Sequence, residues 1–117
     1  KNKGKFIFTT LNGLFPLFNS IEKFCAAVAM DDNATYHNNT FDLMTFRDHN
    51  TTEFVDDDGN KKTLESNERY YVPSEITWLL KSLSYKKIEI FGAKLGSFSR
   101  KDKLTTEDFE MLVIAEK

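Results

Sequence analysis

Three consecutive residues, Arg69, Tyr70 and Tyr71, are the best candidates for binding a small molecule. An arginine can bind a carboxylate or a phosphate through two parallel hydrogen bonds, and tyrosines can shape a pocket while donating hydrogen bonds. The same residues would equally suit an exposed cross-strand arginine with aromatic packing partners. We therefore predict a substrate contact at these three residues, with simple packing as the open alternative.

A second polar cluster consists of Arg47, Asp48 and His49. An imidazole changes its charge near neutral pH, so His49 could act as a base. A single histidine on an exposed strand is, however, more often only hydrated. We predict that Arg47 and His49 contribute to substrate binding, and the sequence assigns no catalytic residue.

No metal site is predicted. Three consecutive aspartates, Asp56 to Asp58, precede Gly59, but they lack the regular acidic spacing and the terminal glutamate of a calcium loop. The one cysteine, Cys25, has no partner for a disulfide or for a metal-ligand pair, and it lies on an apolar stripe. It is therefore predicted to be a packed thiol in an intracellular, cytoplasmic protein.

The composition excludes several classes of function. The chain has 117 residues, a formal net charge of -2, 40% hydrophobic residues and 29% charged residues, which is typical of one globular domain. Lysine and arginine are scattered among acidic residues, so no nucleic-acid partner is indicated. No apolar run approaches the roughly 20 residues that span a membrane, and polar residues interrupt the first apolar stretch, which argues against a signal peptide.

A strand is predicted near the start of the chain, over residues 6–11, followed by Asn12-Gly13. Its nearly continuous apolar character is typical of a strand covered on both faces, as parallel strands of an α/β sheet are. Ligands of such sheets bind beyond the carboxyl ends of the strands. Asn12 lies at that end, so it either contacts substrate or caps the loop.

The middle of the chain changes from a helical period to a period of two. Residues 16–29 have apolar residues at helical spacing, and Pro16 suits a first turn. Residues 35–71 predict an antiparallel insert of about three strands, one of which includes the alternating residues 41–46. Asp58-Gly59 between two such runs is a strong hairpin signal, because both turn residues must tolerate positive φ.

The last part of the chain predicts a helix and two strands. Pro73 opens the helix, which runs to Leu83 with a buried stripe of Ile76, Leu79, Leu80 and Leu83. Residues 86–91 and 109–115 are predicted strands, joined by a long polar loop over residues 92–106. Since no helix separates these strands, they should pair antiparallel. The predicted fold class is α/β, or α+β when the chain is isolated, in a single domain of residues 1–117.

Residues 70–92, with the sequence YYVPSEITWLLKSLSYKKIEIFG, resemble the C-terminal region of class I S-adenosylmethionine-dependent methyltransferases. The closing run EMLVIAEK, residues 110–117, resembles the last strand of that family, which inserts antiparallel into an otherwise parallel sheet. The run GKFIFT, residues 4–9, is similar to the fifth strand of the family. Ser84 stands where the family commonly has glycine, so it should cost some stability in a left-handed helix cap.

The resemblance implies that the chain is the C-terminal, substrate-side portion of a Rossmann-like methyltransferase sheet, acting on a small-molecule methyl acceptor. It implies S-adenosylmethionine as the cofactor, bound by a glycine-rich loop after the first strand and an acidic residue ending the second. This sequence has no such loop before a helix, so cofactor binding is expected to belong to a missing N-terminal half. Methyl transfer mainly requires positioning of the nucleophile and the methyl group, so a missing catalytic motif is compatible with this function.

The start of the chain carries a further expectation. There is no initiator methionine, and Lys1 leads within a few residues into the first strand, as expected of a tag remnant or of a longer polypeptide cut before a core strand. A cut there would leave the outer edge of that strand and part of its apolar faces uncovered, so we expect the chain to self-associate as a homo-oligomer such as a dimer, and to be inactive alone. The alternative is an independent α+β ligand-binding or dimerisation module whose insert forms the interface.

Overall fold

The computed structural model describes residues 3–28, 35–94 and 96–117. The chain falls into two compact units, one formed by Lys1–Phe18 with Tyr70–Lys117 and the other by Asn19–Arg69. No helix among the described residues is long and apolar enough to cross a membrane. In chain order the elements are β1 (Lys5–Leu11), α1 (Leu14–Phe18), α2 (Ile21–Val28), β2 (Thr35–Asp42), β3 (Arg47–Val55), β4 (Lys61–Arg69), α3 (Pro73–Ser82), β5 (Lys87–Lys94), β6 (Ser97–Phe98) and β7 (Glu110–Glu116).

The first unit contains a four-stranded sheet with the strand order β1-β7-β5-β6. Strand β7 lies between β1 and β5 and runs antiparallel to both, so β1 and β5 run in the same direction. The predicted antiparallel pairing of the two late strands is confirmed. So is the antiparallel insertion of the last strand between two strands that share a direction.

Helix α3 covers one face of this sheet. Ile76 and Leu80 lie one turn apart, are each 3% exposed, and pack against the alternate β7 residues Met111, Val113 and Ala115. Leu79 and Leu83 are 46% and 54% exposed, so the predicted buried stripe is wrong at these two positions. The reason is that the sheet contacts only the side of the helix that carries Ile76 and Leu80.

The end of α3 has the geometry that the sequence predicts. Ser84 has φ of 71°, in the left-handed region, directly after the C-cap residue Leu83. The Ser84 N–H donates to the Lys81 carbonyl at 3.0 Å, and the Tyr85 N–H donates to the Leu80 carbonyl at 3.1 Å. These two bonds form a Schellman motif, in which glycine is the usual left-handed residue.

The second unit contains a three-stranded antiparallel sheet with the order β2-β3-β4. The predicted hairpin at Asp58-Gly59 joins β3 to β4, but only Gly59, with φ of 81°, has a positive φ in this turn. The Asp56 carboxylate also stabilises this turn, through hydrogen bonds to its backbone. It accepts the N–H groups of Asp58 at 3.0 Å and Asn60 at 2.8 Å.

Two further predicted elements are wrong in detail. Residues 41–46 do not form one strand, because β2 ends at Asp42 and its carboxylate accepts the N–H groups of Met44 and Thr45 in a tight turn. The helix predicted over residues 16–29 is broken into α1 and α2. The Ser20 hydroxyl accepts the Lys23 N–H at 3.3 Å and so caps a new helix start. The side chain of Cys25 lies outside the described residues.

Strand β1 is not covered on both faces in this chain, in agreement with the expectation that part of its apolar faces is uncovered. Phe6 is 45% exposed and Ile7 is 59% exposed, although the two side chains point to opposite faces of the sheet. Within the described residues, β1 pairs with β7 along one edge. An apolar strand with one paired edge leaves part of both faces in solvent.

The long loop predicted after residue 91 is also shorter than expected. Strand β5 continues to Lys94, because Gly92 and Ala93 pair with Met111 and Glu110 of β7. The two-residue strand β6 then pairs back on the end of β5. This extension brings the end of β5 close to the loop that precedes β7.

Candidate functional site

Asn12 follows the carboxyl end of β1 and is fully buried. Its Nδ2 group donates to the carbonyl oxygens of Asp108 at 2.7 Å and Thr105 at 3.2 Å, and its Oδ1 atom accepts the Leu14 N–H at 3.1 Å. The side chain thus ties the end of β1 to the loop before β7 and to the start of α1. The loop-capping alternative accounts for all three bonds, and a substrate contact at Asn12 stays a prediction.

Tyr71 lies beside Asn12, and the two residues form an isolated parallel bridge. The Tyr71 N–H donates to the Leu11 carbonyl at 3.2 Å, and the Tyr71 carbonyl accepts the Gly13 N–H at 2.9 Å. The half-buried ring packs against the core under α3. Tyr70 is fully buried with its ring edge-on to Phe109, at 5.9 Å between centroids, so packing describes its present role.

A buried polar network surrounds Asp108 at the same end of the sheet. Its carboxylate binds the Lys94 ammonium, and it accepts the N–H and the hydroxyl of Thr105 at 2.8 and 3.2 Å. Burial works against ionisation, but the hydrogen bond from Lys94 and those from Thr105 outweigh it and lower the pKa of Asp108. The same bond to Asp108 raises the pKa of Lys94. The network holds the end of β5 to the loop before β7.

The second unit presents what we call the polar face of its sheet. Residues paired across neighbouring antiparallel strands point to the same face, and alternate residues along a strand do too. Three cross-strand rows share this face: Asp42 with Arg47 and Arg69, Thr40 with His49 and Asn67, and Thr51 with Glu65. Three predicted substrate residues, Arg47, His49 and Arg69, are therefore brought together.

A depression of about 470 Å³ lies along this sheet. Five of the residues that line it belong to the polar face: Thr40, His49, Thr51, Glu65 and Asn67. The volume is in the range of small-molecule sites. In the part of the chain that the structure describes, no three His, Cys, Asp or Glu residues form a group that could hold a metal ion.

The row of Asp42, Arg47 and Arg69 lies next to the depression, and its side chains make specific contacts. Arg47 donates from Nη1 to the Asn67 Oδ1 atom at 2.8 Å, so its guanidinium leans over the neighbouring row. The Arg69 guanidinium lies 6.0 Å from the centroid of the Phe46 ring, at the limit of a cation–π contact. Hydrogen bonds from the Met44 backbone and from Thr45, with a smaller contribution from His49, lower the pKa of Asp42.

Sequence patterns alone did not identify some residues of the polar face and of the network around Asp108. Asn67 and Glu65 gave no motif, although both can be found by counting outward from the Asp58-Gly59 turn along the paired strands. Asp108 stands three residues after Thr105, a local spacing that suits a side-chain cap, but its partner Lys94 is set by strand pairing. Of the predicted residues, Asn12, Tyr70 and Tyr71 belong to the first unit and Arg47, His49 and Arg69 to the second.

Three glycines, Gly59, Gly92 and Gly96, offer no cradle for a nucleotide cofactor. A Cβ atom added at Gly92 would lie 2.5 Å from the Asp108 Oδ2 atom, so the open space beside this glycine is filled by the protein itself. Gly59 and Gly96 face open space on turns and do not precede a helix. The surroundings of these three glycines therefore do not fit S-adenosylmethionine, and no step of a reaction is assigned through it.

Structural comparison shows what kind of fold this is. The CcbJ methyltransferase from Streptomyces caelestis matches with a TM-score of 0.64 and 13% identity over 96% of this chain and 45% of that chain. An S-adenosylmethionine-dependent methyltransferase from Clostridium acetobutylicum matches with a TM-score of 0.63 and 17% identity, over 99% of this chain and 45% of that chain. The chain has part of the methyltransferase fold.

The match covers very different shares of the two aligned chains. Nearly all of this chain is used, yet it spans 45% of the length of each of these two solved structures. No protein-family model and no curated protein matches the sequence. At identities this low the likeness concerns the fold, and it extends the resemblance found in residues 70–92 and 110–117 to almost the whole chain.

Proposed function

We propose that this chain is the C-terminal, acceptor-side part of an S-adenosylmethionine-dependent methyltransferase that acts on a small molecule. The observation that carries the proposal is the strand arrangement β1-β7-β5, with β7 antiparallel between two strands of one direction. The same arrangement was expected from the resemblance of the first and last strands to that family. The fold likeness to two solved methyltransferases supports it.

The cofactor, in this proposal, is bound by another part of the methyltransferase fold. The sequence has no glycine-rich loop between a strand and a helix, and the space at Gly92 is taken by Asp108. The contribution of this chain is to bind and orient the acceptor. Candidate contacts are the residues at the end of β1, Asn12 and Tyr71, and the polar face with Arg47, His49 and Arg69.

The coding sequence upstream of Lys1 tests this proposal. We expect it to encode a strand, a glycine-rich loop and a helix, followed about 20 residues later by an acidic residue that ends a second strand. An upstream sequence that begins translation within a few codons of Lys1, or that encodes an unrelated domain, would contradict the proposal.

A second candidate function rests on the exposed first strand. Phe6 and Ile7 are partly in solvent on opposite faces of β1, and such an edge invites pairing with another chain. An independent α+β module that dimerises would use this edge or the insert sheet. Ligand binding by a stable monomer, with no dependence on S-adenosylmethionine, would favour a binding module over the methyltransferase part.

A further inference from the structure

The depression on the polar face is lined by polar residues. Its polar-face residues supply two hydroxyls, an amide, an imidazole and a carboxylate: Thr40, Thr51, Asn67, His49 and Glu65. Most small-molecule sites are predominantly apolar, with a few polar groups that fix orientation. Here each of the five side chains carries a hydrogen-bonding group, so a ligand that fits the depression offers several hydrogen-bonding groups of its own.

The charges of the polar face argue against a simple anion as that ligand. The three rows carry two guanidinium groups, Arg47 and Arg69, and two carboxylates, Asp42 and Glu65. The hydrogen bonds that lower the pKa of Asp42 keep this carboxylate ionised at neutral pH. A phosphate or carboxylate near the arginines would therefore also meet fixed negative charge.

Glu65 lies apart from the row that Asp42 forms with Arg47 and Arg69. The Arg47 guanidinium is held over Asn67 by its 2.8 Å hydrogen bond, and Glu65 is the next residue of β4 on the same face. Alternate residues of a strand are about 7 Å apart. One sugar ring has about this width, so a single ring could face the guanidinium with oxygen atoms and the Glu65 carboxylate with an amino group.

We infer that the polar face binds a small molecule rich in hydroxyl groups that carries one amino group, the chemistry of an amino sugar. Glu65 accepts hydrogen bonds from the ammonium group, while Asn67, His49 and the threonines bind the hydroxyls. Under the proposed function this molecule is the methyl acceptor, and its nucleophile is a hydroxyl group, or the amino group after it has lost its proton. The binding itself needs neither the cofactor nor the rest of the methyltransferase fold.

Titration of the ¹⁵N-labelled chain, followed by two-dimensional NMR, tests the inference with three probes: D-glucosamine, D-glucose and inorganic phosphate. We expect saturable shifts at the amides of residues 40, 49–51 and 65–67, with glucosamine about fivefold tighter than glucose, since an exposed ion pair contributes up to about 1 kcal/mol. Phosphate should leave these amides unshifted. Saturable phosphate binding there, or no saturable binding of either sugar, would overturn the inference.

Matched variants on β4 make the test specific. Glu65→Gln should remove the preference for glucosamine over glucose, and Asn67→Ala should weaken both sugars about fivefold. Thr63→Ala lies on the same strand and the same face outside the depression, so it should change neither. If all three variants bound glucosamine and glucose with the same affinities, the assignment of the site would be overturned. The titration contains no S-adenosylmethionine, so this result would not decide the proposed function, which the upstream coding sequence tests separately.

Discussion

Asp108 and Gly92 are the two residues on which the packing at the end of the first sheet depends. A methyl group at Gly92 would lie 2.5 Å from one carboxylate oxygen of Asp108, which is itself held by Thr105 and Lys94. We expect Gly92→Ala to lower the free energy of unfolding by about 1–3 kcal/mol, the usual cost of overpacking a filled site. Urea unfolding followed by circular dichroism measures it.

A double-mutant cycle separates this clash from a general effect of glycine. In the Asp108→Ala background the carboxylate is gone, so Gly92→Ala should cost clearly less than it does alone. The same cost in both backgrounds would show that the Asp108 side chain is not what the new methyl group meets.

The Asp108 carboxyl also makes the stability depend on pH. Its pKa is lowered in the folded chain, because the bonds from Lys94 and Thr105 outweigh its burial. Its contribution is therefore present above the ordinary aspartate pKa of about 3.9 and is lost as the pH falls through the lowered pKa. Between about pH 6 and pH 2, the wild type should lose more stability than Asp108→Asn; equal losses in urea unfolding would contradict this assignment.

Single residues could be predicted where a turn signal fixes the register of the two strands that carry them. His49 and Arg47 were found as polar residues, and their row partners Asn67 and Arg69 follow from counting outward from the Asp58-Gly59 turn. Lys94 and Asp108 could not be paired in this way. Their contact depends on the pairing of β5 with β7, which the residues between them do not encode locally.

At the scale of elements, the end of α3 carries a strained residue that can be improved. Ser84 has φ of 71° in a Schellman motif that is otherwise fully formed. A non-glycine residue in this region costs about 1–2 kcal/mol, part of which the greater chain entropy of glycine cancels. We expect Ser84→Gly to raise the free energy of unfolding by about 1 kcal/mol, measured by urea unfolding. A loss of stability would contradict the cap assignment.

Strand β1 is the element expected to cause self-association. Ile7 is 59% exposed, and a charge on an exposed edge strand disfavours pairing with another chain. The wild type should associate with rising concentration in sedimentation equilibrium, and Ile7→Lys should weaken that association. Met44→Lys, at a residue that is 93% exposed on the turn between β2 and β3, is the matched control and should not. A wild-type monomer at all concentrations would contradict the expectation.

Elements were predictable wherever a local signal decides them. Pro73, the Ile76 and Leu80 spacing and Ser84 define α3, and the structure confirms the helix and its left-handed cap. The predicted strand over residues 41–46 failed because the Asp42 carboxylate forms a turn that the alternation hides. The end of β5 was missed because its last residues are in a strand only through pairing with β7.

At the scale of the whole molecule, the proposal divides the work of a methyltransferase between this chain and the rest of its fold. The chain aligns over 96% and 99% of its length with two methyltransferase structures, and it spans 45% of each. Its residues offer candidate acceptor contacts, while Gly59, Gly92 and Gly96 offer no cofactor loop. The likeness to part of the methyltransferase fold could be predicted because three separated segments, at both ends and around α3, each resembled the family in the right order, while the α/β class is narrowed to α+β with antiparallel sheets.

Isothermal titration of S-adenosylmethionine into the folded 117-residue chain tests this division most directly. The Clostridium acetobutylicum methyltransferase, which shares the fold, serves as the positive control under the same conditions. The proposal predicts no saturable heat for this chain and saturable binding for the control. Stoichiometric binding of S-adenosylmethionine by the chain alone would contradict it.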